Sequence, residues 1–246
     1  MQRSARPLLA TTALLAAILA SACGDGPVEP SLLETPRIIA IRSADGPMQA
    51  GATNTLEALT FNVEQLSWRA CPFPWIPPNP DLGFEELSCA FGETPVGDGN
   101  PVTFDVPAGV DELYFAIDGT SSGPASVPLL TTIFRFRTDT PEAAAEPFTV
   151  TTVTETEPDG VEPTTVEAGA TLDMATVLGD SHDENAVINW YTTGGLFEPF
   201  RTLGTTPSEF TAPDKPGEVM IMVVLRNRDG AAAWYTTTLT VTEAAQ

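Results

Sequence analysis

From Pro36 to the end of this 246-residue chain, short runs of Val, Ile, Thr, Phe and Tyr recur between clusters of Gly, Pro, Asp and Asn. β-Branched and aromatic side chains suit a pleated, half-buried surface, and Gly, Pro and Asp interrupt it, so the pattern is one of strands and turns. The clearest runs are 37–43, 55–61, 65–69, 102–106, 112–117 and 131–137, then 148–154, 171–177, 187–192, 218–226 and 234–242. In Thr132-Ile133-Phe134-Arg135-Phe136-Arg137 apolar and polar residues alternate, as a sheet with one buried face requires. Helical period is nearly absent, and only 141–146 is Ala-rich enough for a short helical turn. Turns spaced about 8–12 residues apart point to β-sandwiches, and the fold class is all-β.

An internal repeat divides the chain. Ala50-Gly51-Ala52-Thr53 returns as Ala168-Gly169-Ala170-Thr171, and each copy precedes a strand and then a tryptophan, Trp68 and Trp190. The spacing between copies is about one sandwich domain. The order of turn, strand and tryptophan resembles bacterial immunoglobulin-like domains, in which a tryptophan on the third strand packs between the sheets. The second copy is the more similar, with Gly194-Gly195-Leu196-Phe197, Phe210-Thr211-Ala212-Pro213 and Pro216-Gly217-Glu218-Val219 following its tryptophan. The resemblance implies two tandem immunoglobulin-like sandwiches, over 36–140 and 148–246, joined by a linker at 141–147. It implies a fold and no chemistry.

The chain begins with Arg3 and Arg6, an apolar stretch from Leu8 to Ala20, and then Ser21-Ala22-Cys23-Gly24. That is the layout of a secretory signal peptide over residues 1–22. The end of the segment resembles the lipobox of bacterial lipoproteins, which implies that Cys23 is lipidated and becomes the mature N-terminus. The family usually has Leu three residues before the cysteine; here Ala20 stands there and Leu19 one step earlier. Gly24 in place of the aspartate that often marks inner-membrane retention implies the outer membrane. Residues 23–35, rich in Gly, Pro and acid, read as the lipidated cysteine and a flexible tether.

Export also bears on the other two cysteines. Disulfides persist outside the cytoplasm, so Cys71 and Cys89 are expected to pair. They close the most distinctive segment, which opens Cys71-Pro72-Phe73-Pro74-Trp75-Ile76-Pro77-Pro78. Phe73, Trp75 and Ile76 are candidates for an interaction loop, because proline lowers the cost of ordering apolar anchors. The competing expectation is that these side chains fold back onto the sandwich, since exposed apolar clusters are rare. A second candidate is the loop holding Asp180, Asp183, Glu184 and Asn185, whose oxygens suit calcium but whose spacing lacks that of a calcium loop.

Removing residues 1–22 leaves nine basic residues against 33 acidic ones, a net charge of −24. Such a surface repels nucleic acid and anionic lipid headgroups, so membrane attachment falls to the lipid. His182 is the single histidine, which excludes a multi-histidine metal centre. No G-x-S-x-G elbow presents a serine, and the Gly-rich stretch 92–99 has no lysine for phosphate. No cofactor and no enzymatic activity are expected. The sequence reads as a lipid-anchored, non-catalytic cell-envelope protein of structural or protein-binding role. The alternative is a calcium-stabilised adhesin or glycan-binding module.

Overall fold

The computed structural model describes residues 29–79, 86–90, 92–121, 131–138, 147–154, 157–158, 161–179, 185–227, 230 and 232–244. The signal peptide, Cys23, most of the 141–147 linker, and Asp180, Asp183 and Glu184 lie outside these residues.

Among the described residues the first half forms seven strands: β1 (Arg37–Ser43), β2 (Thr53–Phe61), β3 (Gln65–Cys71), β4 (Thr94–Asp98), β5 (Val102–Asp105), β6 (Glu112–Thr120) and β7 (Thr132–Arg137). They make a three-stranded sheet, β1-β2-β5, facing a four-stranded one, β4-β3-β6-β7. Strand period decides what lies between the sheets. Leu66, Trp68 and Ala70 of β3 and Leu113, Phe115 and Ile117 of β6 point inward, into one core with Leu56, Phe104 and Phe136. Burying the Trp68 ring would strand its N–H, and Nε1 instead donates to the Gly99 carbonyl at 2.8 Å.

The described residues of the second half form ten strands: β8 (Thr149–Thr154), β9 (Glu157–Pro158), β10 (Thr165–Glu167), β11 (Thr171–Val177), β12 (Val187–Thr192), β13 (Leu196–Glu198), β14 (Arg201–Leu203), β15 (Ser208–Thr211), β16 (Gly217–Arg226) and β17 (Ala232–Thr242). They form two five-stranded sheets, β10-β17-β16-β12-β14 and β13-β15-β11-β8-β9. Trp190 of β12 fills the core with Phe197, Phe210, Ile221 and Leu239, and its Nε1 donates to Thr202 Oγ1 at 2.9 Å.

The repeated turn has the same job in both halves. Gly51 and Gly169 hold φ at +77° and +72°, the left-handed region that glycine occupies at no steric cost. Each then leads into the central strand of its sheet, β2 between β1 and β5, β11 between β8 and β15. Both halves are immunoglobulin-like β-sandwiches. The very short strands β9, β10, β13 and β14 were not expected, because two or three residues carry no readable period.

The structure corrects the tether. Flexible sequence was expected through residue 35, yet Ser31 and Leu33 are buried. Leu33 N–H donates to the Thr192 carbonyl at 2.7 Å, and Thr192 N–H donates to the Ser31 carbonyl at 2.9 Å. The segment therefore runs as a parallel bridge beside β12, in the second sandwich, before the chain enters β1 of the first.

A third apolar cluster lies between the sandwiches. Ile39, Ala40 and Leu59 of the first meet Met222, Val224 and Ala232 of the second, with Leu33 among them. Regular alternation cannot turn two successive residues outward. The ladder between β1 and β2 slips between Ile38 and Ala40, so Ile39 is an extra residue. Ile38 and Ile41 consequently stay in the first core while Ile39 and Ala40 face the neighbour. Arg226 ends β16 at this joint. Its Nη2 donates to the Ile39 carbonyl, and its guanidinium carbon lies 5.7 Å from the Phe134 ring centroid. Desolvation by burial lowers its pKa from the ordinary arginine value, against a raising hydrogen bond with Tyr191. The two sandwiches thus share an apolar contact surface.

Candidate functional site

The disulfide-closed segment is an addition to the sandwich and not part of its frame. Cys71 ends β3 on the outward side of the sheet, since Leu66, Trp68 and Ala70 take the inward positions. It pairs with Cys89, with Cα atoms 5.8 Å apart, as expected from the two cysteines. Inside the loop, Ile76 and Ser88 exchange backbone hydrogen bonds of 2.8 and 3.1 Å. That bridge turns the segment back across the sheet's outer face.

The three candidate anchors separate. Trp75 is 6% exposed and packs with Cys71 and Ala116, its Nε1 donating to the Tyr114 carbonyl at 2.9 Å. Arg69 lies over the same ring at 5.2 Å and forms 3.0 Å ion pairs with Glu93 and Asp118. Ile76 is half-buried, held by its bridge to Ser88. Phe73 is 46% exposed. Folding back thus accounts for Trp75 and Ile76, and presentation for Phe73. The physical reason is the indole N–H, which reaches a strand carbonyl that a phenyl ring cannot use.

Beside Phe73 runs a cavity of about 590 Å³, lined among others by Pro72, Pro74, Asp111, Glu112, Tyr114 and Arg137. The Tyr114 hydroxyl donates to Glu112 at 3.0 Å, and Arg135 and Arg137 approach the same carboxylate at 3.2 and 3.5 Å. Desolvation by burial, then the bond to Glu112, raises the Tyr114 pKa above the ordinary phenol value. The groove therefore presents the half-exposed Phe73 ring edged by prolines, next to the Glu112 carboxylate and the Arg137 guanidinium held in place by their mutual pair.

The sequence did not point to Glu112, Tyr114 or Arg137. They reach the groove from β6 and β7, far along the chain, and only the strand pairing of β3 with β6 and β6 with β7 brings them to the loop. Of the calcium candidates, Asn185 is described and exposed. Among the described residues, no group of three or more His, Cys, Asp or Glu side chains is arranged to hold a metal ion. No helix among them is long and apolar enough to cross a membrane.

No family model matches the chain, and no curated protein matches it. Solved structures do align with it. The fibronectin(III)-like modules of Clostridium thermocellum CbhA match at 12% identity and a TM-score of 0.30, over 85% of this chain and 95% of that one. The D0-D1 domain of Intimin matches at 11% and 0.26, over 85% and 100%. The Bacteroides ovatus SGBP-B of a mixed-linkage glucan utilization locus, solved with a heptasaccharide, matches at 11% and 0.24, over 86% and 48%. Identities and TM-scores this low carry no argument, and the sandwich assignment stands on sheet order and tryptophan placement.

Proposed function

We propose that this is a lipid-anchored, non-catalytic cell-envelope protein that binds a protein partner through the Phe73 rim of the stapled loop. The observation that carries the reading is the division of the loop: Trp75 is buried and holds it down, whereas Phe73 stays 46% exposed on the rim of the groove. A disulfide and a buried indole pre-organise the ring, so binding costs little ordering. The lipobox-like end of the signal segment, Leu19 to Cys23, supports attachment by an N-terminal lipid. Gly24 supports the outer membrane.

Two measurements test the parts separately. A photo-crosslinking residue at position 73 should capture an envelope protein in cells, and the same residue at exposed Thr103 should not; equal capture at both sites would remove the loop from the proposal. Mass spectrometry of the mature N-terminus should find diacylglyceryl-modified Cys23, and Cys23→Ala should leave the membrane fraction. An unmodified N-terminus would end the lipoprotein reading.

A second reading, glycan binding, draws on the same ring lying next to Asp111, Glu112 and Arg137, since a saccharide takes an aromatic platform together with polar partners. It is distinguished by binding to a polysaccharide that Phe73→Ala abolishes. Its calcium-stabilised variant further requires a melting temperature that a chelator lowers.

A further inference from the structure

We propose that the buried segment Ser31–Leu33 is a clip that locks the two sandwiches in one orientation, so that docking or release of this segment switches the pair between a fixed and a loose state. The proposal rests on the fold and is independent of the envelope reading.

Three observations carry it. The clip touches both sides of the joint: its backbone pairs with Thr192, Ser31 Oγ accepts from Phe197 N–H at 3.4 Å, and the Leu33 side chain enters the cluster containing Ile39 and Leu59. A free tail would have no reason to bury a leucine to 2% exposure between two domains. Second, the joint closes at atomic tolerance. Gly230 has φ of +93°, and a Cβ added there would overlap the Arg135 carbonyl of β7 in the other sandwich. Third, the joint is directional as well as apolar. The Arg226 guanidinium binds the carbonyl of the bulged Ile39, and Arg42 of the first sandwich lies 4.1 Å over the Trp234 ring of the second. An apolar contact alone slides; hydrogen bonds and a cation over a ring fix the register.

The consequence is a route from the N-terminus to domain orientation. Tension or a ligand acting on the residues before Ser31 pulls first on the clip, and both sandwiches lose the leucine they share. The lock also couples their stabilities, because an unfolded first sandwich would expose Met222 and Val224 of the second to water.

The test uses the full mature chain carrying one spin label at Asp105 and one at Glu218, both exposed and in different sandwiches. The unaltered joint should give one narrow distance distribution. Leu33→Asp and Gly230→Ala should each broaden it, and Phe73→Ala should leave it narrow. Amide exchange in the strands around Trp68 and Trp190 confirms that each variant remains folded. Should Gly230→Ala fail that check, Leu33→Asp and Arg226→Met carry the same expectation. A distribution that is broad from the start, or one that Leu33→Asp leaves narrow in folded protein, overturns the proposal.

Discussion

The two sandwiches begin from the same left-handed glycine turn and the same core tryptophan, yet they complete themselves differently. In the first, Phe115 is a hub: Trp68, Phe104 and Phe136 meet it edge-on, with centroids 5.7–6.5 Å away. In the second, Trp190, Phe197 and Phe210 form a tilted stack with 5.3 and 5.0 Å steps. Both are favoured aromatic geometries. Among its described residues the first has seven strands, and it carries its disulfide outside the core, across the outer face of β3 and β6. The second has ten strands among its described residues and no cysteine. One frame has been stabilised by a staple, the other by additional sheet.

The largest expected effect breaks the parallel at its centre. Trp68→Ala and Trp190→Ala each remove a fully buried ring and should cost about 3–5 kcal/mol in the sandwich that holds it. Residue-resolved amide exchange should show the greater loss in that sandwich and a smaller one across the joint. A uniform loss in both would mean that the halves are not separate cores.

Removing the staple should come next. Cys71→Ser with Cys89→Ser frees a loop with a sequence separation of 18, worth about 3 kcal/mol in the chain-entropy model. Denaturant unfolding should place the loss in the first sandwich. Mass spectrometry of native, unreduced protein treated with a thiol reagent should find neither cysteine alkylated.

Within the loop the contrast is finer. Trp75→Ala should destabilise the first sandwich by about 1–3 kcal/mol, whereas Phe73→Ala should stay within about 0.5 kcal/mol. Comparable thermal shifts for both would place Phe73 in the packing and take it out of recognition.

The smallest effect is one of alkaline pH, and it singles out the second sandwich. Desolvation by burial, with a 2.6 Å hydrogen bond to Glu162, pushes the Tyr235 phenol from 10.0 up to about 12. The folded state therefore favours the protonated ring. That contribution is complete below pH 10 and is lost as pH rises through about 12. Stability of the second sandwich should fall over this window, and Tyr235→Phe should flatten the slope. An unchanged slope would assign the fall to other groups.

How legible was this in the chain? Trp68, Trp190, the Ala-Gly-Ala-Thr turns and the cysteine pair were readable because each is local: a residue, a turn, or two thiols in an oxidising setting. The joint also left a local sign. Val219 to Leu225 is apolar without a break, which a strand covered on one face only does not need. Met222 and Val224 belong to the second face. Leu33 was a similar sign, an apolar residue inside an acidic, Gly- and Pro-rich stretch. The groove beside Phe73 left none, because Tyr114 and Arg137 reach it through strand pairing alone.

The extra residue in β1 has a genetic meaning. Deleting one residue from a strand ordinarily turns every side chain beyond it to the wrong side. Here Ile38 already pairs with Thr60 and Ala40 with Leu59, the neighbouring position. Loss of Ile39 would therefore leave a regular ladder with Ile38 and Ile41 still facing inward. It would erase the carbonyl that Arg226 grips and one of the joint's side chains. At this codon an in-frame deletion is gentler on the fold than on the partnership between its halves, and the two properties can be inherited apart.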